Sequence, residues 1–382
     1  MSNHTSPPTL WTTSNPDLES LTKGLEALSE HSQSLIIMAC SNNAYEIDKL
    51  NALLSNSTVN IAGGMFPKLI FEHQIMDSGA IVLGLDKTVS VWNYSNLSEP
   101  GANIDALIHS DGETLNQYSH FIVFADALCK RNEDFIDLFY DFIGAGVTVI
   151  GGGTGGGGND GGTGNQDFVT RPNIFTNGGV ICDAIQIIGL PRVLHSSVGH
   201  GWLSCDGPYL ITGANGYFIE TIDYQPAFEL YQDVVQGISD KMLTEKNFFD
   251  IAKEFPLGIA DINGNVLVRD PINTDGRYLE CIGNVPVNAT VNILRASKDD
   301  LIQSAHRTAS GLQNQLGAEV LMLFDCISRA LYLESRFSDE ISALQKANPQ
   351  LPMFGALSLA EIASIQSSSI HLLNKSTVLG MF

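Results

Sequence analysis

Phe121-Ile122-Val123-Phe124-Ala125, then Val149-Ile150-Gly151-Gly152, then Ala184-Ile185-Gln186-Ile187-Ile188-Gly189-Leu190 is the succession that decides the fold, because the chain repeats it. An earlier copy runs from residues 35–39 through Ile61-Ala62-Gly63-Gly64 to 79–85. A later copy runs from 320–324 through Met353-Phe354-Gly355-Ala356 to 376–382. Each apolar run is short and rich in β-branched residues, which suits buried strands. Each copy therefore reads strand, helix, strand, small-residue turn, variable excursion and closing strand, and a recurring unit of this kind outweighs any single element.

Outside the copies, residues 257–259 read as a further strand. Phe228, Tyr231, Val235 and Ile238 fall on one helical stripe, as do Ile302, Ala305, Ala309, Leu312 and Leu316. Ser297 and Asp300 stand before the second stripe at the spacing of a capping box, which satisfies the orphan amides of a helix start. Strands alternating with helices predict an α/β protein. The expected layout is two packed lobes built from repeated strand-helix-strand units around mixed sheets, over residues 34–224 and 225–382, with 1–33 as an N-terminal extension.

With 382 residues, 44% hydrophobic and 16% charged, the chain has ample apolar material for a core. Its formal charge of −22 repels phosphate backbones and anionic lipid, so nucleic acid and membrane are poor partners. No stretch reaches the roughly 18 apolar residues of a membrane span, and the start lacks the regions of a signal peptide, so a cytoplasmic protein is expected. The 6 cysteines are scattered singly, without the close pairs of a zinc site, and read mostly as small buried hydrophobes.

The excursions differ while the frame recurs, so function is expected in the excursions. The most unusual is the glycine run from Gly151 to Gly164, which reads either as a surface insertion or as a lid over a ligand pocket. Within it Gly153-Thr154-Gly155-Gly156-Gly157-Gly158 satisfies GxGxxG, but glycine continues where a helix must start to hold a pyrophosphate. Neither a P-loop lysine nor a GxSxG elbow occurs, and Cys205, five residues after His200, fits a turn better than a catalytic thiol. The reading is therefore a non-enzyme.

Several separated segments, in order, resemble the FIST family, with its FIST N-type region over 34–224 and FIST C-type region over 225–382. Phe255-Pro256-Leu257-Gly258-Ile259 and Val268-Arg269-Asp270-Pro271 are similar to the opening of the C-terminal region, and Leu323-Phe324-Asp325-Cys326-Ile327-Ser328-Arg329 to its central strand and turn. Gly355-Ala356-Leu357-Ser358-Leu359-Ala360-Glu361-Ile362 resembles a segment ending in Gly-Glu-Ile, with Ala360 in place of the glycine. Leu373-Asn374-Lys375-Ser376-Thr377-Val378-Leu379 resembles the last strand, and His200-Gly201-Trp202 a joining segment. The resemblance implies a bacterial intracellular ligand-binding module of the kind linked to histidine kinases, chemotaxis receptors and cyclic-nucleotide enzymes. One branch binds haem and senses nitric oxide. Because the chain has no kinase or cyclase sequence, the implied output passes to a partner such as a histidine kinase. An adaptor without ligand, or an enzyme of unknown reaction, is the alternative.

The candidate ligand residues follow from these segments. Glu361 either lines a pocket or steadies a turn, and Arg269 and Arg329 pair either with an anionic ligand or with buried acids. Asp261, Asp270 and Asp325 read as solvated turn residues. For haem, which gas sensors hold through one histidine, His200 is the first candidate and His195 the second, with Trp202 placed to pack on the cofactor. The alternative for His200 is a hydrogen bond to backbone between the lobes.

Overall fold

The computed structural model describes residues 8–156, 171–260, 264–365 and 369–382. The repeat is real and begins earlier than expected. The first unit comprises an edge strand Thr9–Thr13, helix Leu18–Ser29, central strand Ser34–Cys40, helix Ile47–Ser55, second strand Asn60–Phe66, hairpin Lys68–Phe71/Gln74–Met76 and closing strand Ala80–Leu85. The segment expected as an extension thus supplies this unit's first strand and helix. The second unit repeats the plan with Ser90–Tyr94, helix Ile104–Ser110, His120–Asp126, helix Asn132–Ile143, Thr148–Thr154, Ile174–Thr176/Gly179–Ile181 and Ile185–Gly189. In the third the order is His195–Gly199, helix Lys298–Ser310, Leu321–Cys326, helices Ile327–Leu333 and Phe337–Ala347, Met353–Ser358, Glu361–Ile365/Ser369–Leu373 and Thr377–Met381.

Pairing is the same in every unit. The central strand runs parallel to the second strand, which needs the intervening crossover helix, and antiparallel to the closing strand, whose far side takes the edge strand. The hairpins are exchanged. That of the first unit extends the third unit's sheet along Met353–Ser358, that of the second extends the first along Asn60–Phe66, and that of the third extends the second along Thr148–Thr154. The units therefore form a closed ring.

The recurring glycines lie inside strands, which corrects their reading as turns. Gly63, Gly151 and Gly355 face Ile37, Val123 and Leu323 on the parallel neighbour. A Cβ there would come within 1.9, 2.0 and 1.9 Å of the carbonyl oxygen of that neighbour, so any side chain would force the strands apart. Each sheet is buried on both faces, which is why its strands are continuous apolar runs. The outer faces meet each unit's own helices through Leu21, Leu25 and Leu50, through Ile108, Phe135 and Phe139, and through Leu301, Ala305 and Ile341. The inner faces share one core. At its centre Phe66, Phe124 and Phe324, one from each unit, form a triangle with ring centroids 5.7, 6.0 and 6.3 Å apart.

A second body is inserted in the third unit, between its edge strand and its first helix. Strands Leu203–Asn215, Thr290–Arg295, Leu257–Ala260, Val266–Thr274, Leu279–Ile282 and Phe218–Ile222 pair in a circuit that returns to Leu203–Asn215, so this is a closed antiparallel barrel. Helices Ala227–Ile238 and Phe248–Ala252 belong to it, and Phe228, Tyr231 and Val235 of the expected stripe are buried in its core. The capping box at Ser297 and Asp300 is formed, whereas Leu316 lies beyond its helix and is 96% exposed. Residue 225, the expected lobe boundary, falls within the barrel sheet, beside Phe218–Ile222. Among the described residues no helix is long and apolar enough to cross a membrane.

The aromatic triangle predicts the largest single-residue cost in the ring. Phe324→Ala should lose about 3–5 kcal/mol in denaturant unfolding, as large-to-small changes in tight cores do. The same change at the partly buried Phe142 should lose far less. Equal losses would show that the triangle has no special weight.

Candidate functional site

Of the residues expected to touch a ligand, His200, Trp202, Arg329 and Glu361 gather at one buried polar cluster where strand Leu321–Cys326 runs straight into helix Ile327–Leu333, whereas Arg269 and His195 lie outside it. That helix carries Arg329, which is fully buried and forks onto both carboxylate oxygens of Glu340, at 2.6 and 3.0 Å. Its remaining donors reach the carbonyls of Leu301, at 2.7 Å, and of His200. Lys375, fully buried as well, sits with φ 50 in the turn before the closing strand. Its ammonium donates to Ser328 Oγ and to the Lys253 carbonyl, both at 2.9 Å, lies 3.2 Å from Asp270, and stands 5.2 Å from the Trp202 ring centroid. Ser328 in turn donates to Asp270 at 2.6 Å. Glu361 accepts from Ser358 Oγ at 2.8 Å and from the Ser376 amide at 3.2 Å.

Burial raises three carboxylates of this cluster, Asp270 among them in spite of its Lys375 partner. Asp270, Asp325, Glu340 and Glu361 are buried with only Arg329 and Lys375 for counter-charge. Glu340 pairs with Arg329 and Asp270 with Lys375. Asp325 and Glu361 are left over, and burial pushes both upward: Asp325 well above the usual range, with Glu340 adding to the effect, and Glu361 to about 8 against the partial relief of its hydrogen bonds. Both are driven toward the neutral acid. An independent parallel comes from the second unit, where Thr154 Oγ1 bonds the Ala125 carbonyl at 3.0 Å and Asn173 Oδ1 at 2.6 Å. Ser358 bonds the Asp325 carbonyl at 3.4 Å and Glu361 at 2.8 Å. Glu361 thus stands where the other unit has a neutral amide.

Burial settles several alternatives. Asp270 and Asp325 are fully buried, which corrects their reading as solvated turn residues, because each faces a buried cation across a strand end. Arg269 donates to the carbonyls of Asn284, Val268 and Leu372 and pairs with Glu133 at 3.1 Å. Arg269 and Arg329 therefore meet protein acceptors. Sequence reading missed Lys375, Glu340 and Ser328. Lys375 had a signal, a lysine directly before an apolar closing strand; Glu340 had none, being one more acid on a helix. The glycine run beyond Gly156 lies outside the described residues, as does Asp261. Its first part, through Thr154, is strand, and a Cβ on Gly152 would meet Phe324 and Ser358 at 2.8 and 2.9 Å.

The surroundings of the two histidines do not fit a haem. The Trp202 backbone amide donates to His200 Nδ1 at 3.0 Å, which leaves the ring proton of the neutral imidazole on Nε2. An iron-binding imidazole has the opposite arrangement, with Nδ1 donating outward and Nε2 free. Burial, then Arg329, lowers His200 to about 4, so the neutral ring persists at physiological pH. Trp202 is buried against Tyr332, with centroids 5.3 Å apart, and offers no open face. His195 stands at the far end of strand His195–Gly199 from His200 and lines a cleft of about 190 Å³ with Arg192, Leu316 and Phe382. That is below the roughly 300 Å³ at which cofactor pockets begin. Of the cysteines, Cys40, Cys129, Cys281 and Cys326 are buried, Cys182 is half-buried and Cys205 exposed.

The FIST N domain model matches residues 34–225 and the FIST C domain model residues 227–364. This chain belongs to the FIST family. No curated protein matches it. FIST domains are associated with small-ligand sensing in signalling proteins. In this FIST protein the N-terminal match covers the first ring unit from its central strand onward, the second unit, the third unit's edge strand and the start of the barrel; the C-terminal match takes the rest of the barrel and much of the third unit.

Two outcomes follow from this geometry. Glu361 is raised from 4.5 to about 8, so the stability it lends is complete below pH 4.5 and lost as pH rises toward 8. Between those values Glu361→Gln should remove about 1.4 kcal/mol per pH unit of that decline in denaturant titrations; parallel curves for both proteins would contradict it. For haem, titration with hemin followed at the Soret band should show no component that His200→Ala abolishes. A Soret band lost only in that variant would overturn the tautomer argument.

Proposed function

We propose that this FIST protein is a cytoplasmic sensor that binds a small ligand and relays its presence to a separate signalling enzyme, such as a histidine kinase. What supports the reading, beside family membership, is the two-body construction. The barrel enters and leaves the ring through neighbouring strands, Leu203 being paired with Arg295. It is docked by adjacent residues, Arg269 to Glu133 of the second unit and Asp270 to Lys375 of the third. A ligand that binds one docked arrangement better than another shifts the balance between them, and a partner reading that balance receives the signal. Haem and nitric oxide, the ligands of one family branch, draw no support from His200. An adaptor without ligand and an enzyme remain as outcomes of the test.

Protein isolated from its native cells should release a small molecule detectable by native mass spectrometry, and adding that molecule back should raise the melting temperature. Affinity capture from the same cells should recover a signalling enzyme. Capture without any bound molecule would favour the adaptor, and turnover of ester, phosphate or dinucleotide substrates would favour an enzyme.

A further inference from the structure

A cleft of about 180 Å³ opens where ring and barrel meet. One wall is ring, from Ile136, Asp137 and Leu372; the other is barrel, from Ile259, Leu267 and Pro286. Domain junctions are preferred places for ligand sites. At its polar end most charged groups are already spent. Arg269 places its donors on Asn284, Val268 and Leu372 carbonyls and on Glu133. Glu133 gives one oxygen to Arg269 and the other to the Asn284 amide at 2.6 Å. His371 meets Ser369 at 2.6 Å.

Asp137 differs. It lies one turn beyond Glu133 on helix Asn132–Ile143, is exposed to the cleft, and has no hydrogen bond or ion pair among the described residues, feeling Arg269 only at a distance. On the helix its neighbours at i−3 and i+4 are Asp134 and Asp141, both of its own sign. An anionic ligand would meet this carboxylate with no unspent cation to receive it. A cation would relieve the like-charge repulsion and cover the remaining exposed surface of Leu267 and Pro286, and the protein's net charge of −22 would draw it in.

We propose that this cleft binds a small organic ammonium ion, with Asp137 taking the charged head and Ile136, Ile259, Leu267, Pro286 and Leu372 taking the apolar body. The proposal rests on the sensor reading and names the ligand class and place for it. Because the walls belong to different bodies, an occupant holds barrel to ring, and occupancy is coupled to their docking. The volume, several times the roughly 30 Å³ share of a water molecule, suits a ligand of a few carbons.

The test uses n-butylammonium, with n-butanol and n-butyrate as neutral and anionic controls of the same body, followed by NMR at the amides of Leu267 and Leu372. Butylammonium should bind about tenfold or more tighter than either control, and Asp137→Asn should abolish that preference, as loss of a charge-assisted contact does. Asp134→Asn, on the same helix but paired outward with Arg131, should retain it. An unchanged melting temperature shows that Asp137→Asn is folded. Equal binding of butanol or butyrate, binding that survives Asp137→Asn, or no butylammonium binding overturns the proposal. A molecule from native cells that leaves these amides unmoved overturns the cleft while sparing the sensor; absence of any native molecule counts against the sensor itself.

Discussion

The outer backbone groups of Asn60–Phe66, Thr148–Thr154 and Met353–Ser358 find their partners only on a hairpin from another unit. Unpaired strand edges are costly when buried and sticky when exposed. No ring unit can therefore complete its own sheet, and the ring must close as a whole. The triangle of Phe66, Phe124 and Phe324 sits where the inner faces converge. The intolerance of Gly63, Gly151 and Gly355 to any side chain keeps the parallel strands close enough for that convergence. The repeat in the sequence is a repeat of this constraint.

The barrel depends on the ring in another way. It interrupts the third unit yet leaves the pairing of Leu321–Cys326 with its neighbours intact, since both crossings fall between an edge strand and a helix. What docks it is charge buried among strand ends. Buried ion pairs contribute little net stability once desolvation is counted, but breaking one leaves a charge without compensation. Such contacts define a docked arrangement sharply, which suits a joint between two bodies. The same low-dielectric setting holds Glu361 and Asp325 toward their neutral forms, since six ionised groups there would leave two negative charges unmatched.

Much of the fold was legible because it rests on local pattern. The apolar runs at 35–39, 121–125 and 320–324, the closing strands and the capping box of Ser297 with Asp300 all appear where the residues predict them. The barrel strands were mostly missed: Leu203–Asn215 is half exposed and mixes glycine, proline and polar residues, so it carries no clean alternation. Four candidate residues, His200, Trp202, Arg329 and Glu361, are neighbours at one cluster, while Arg269 reaches Glu133 and His195 stands apart; that much proximity was legible. Their roles were not.

The sequence by itself determined that three copies of one α/β unit exist, because apolar period and small residues act within a few positions of each other. It also determined the family, through segments that match in order. Only the tertiary structure decided that hairpins are exchanged around a ring, that the glycines are places of close strand approach, and that Arg329 spends its charge on Glu340. Those facts depend on pairing between residues far apart in the chain. A strand edge, a carbonyl 1.9 Å from a missing Cβ and a carboxylate without a counter-charge exist only once the chain has folded.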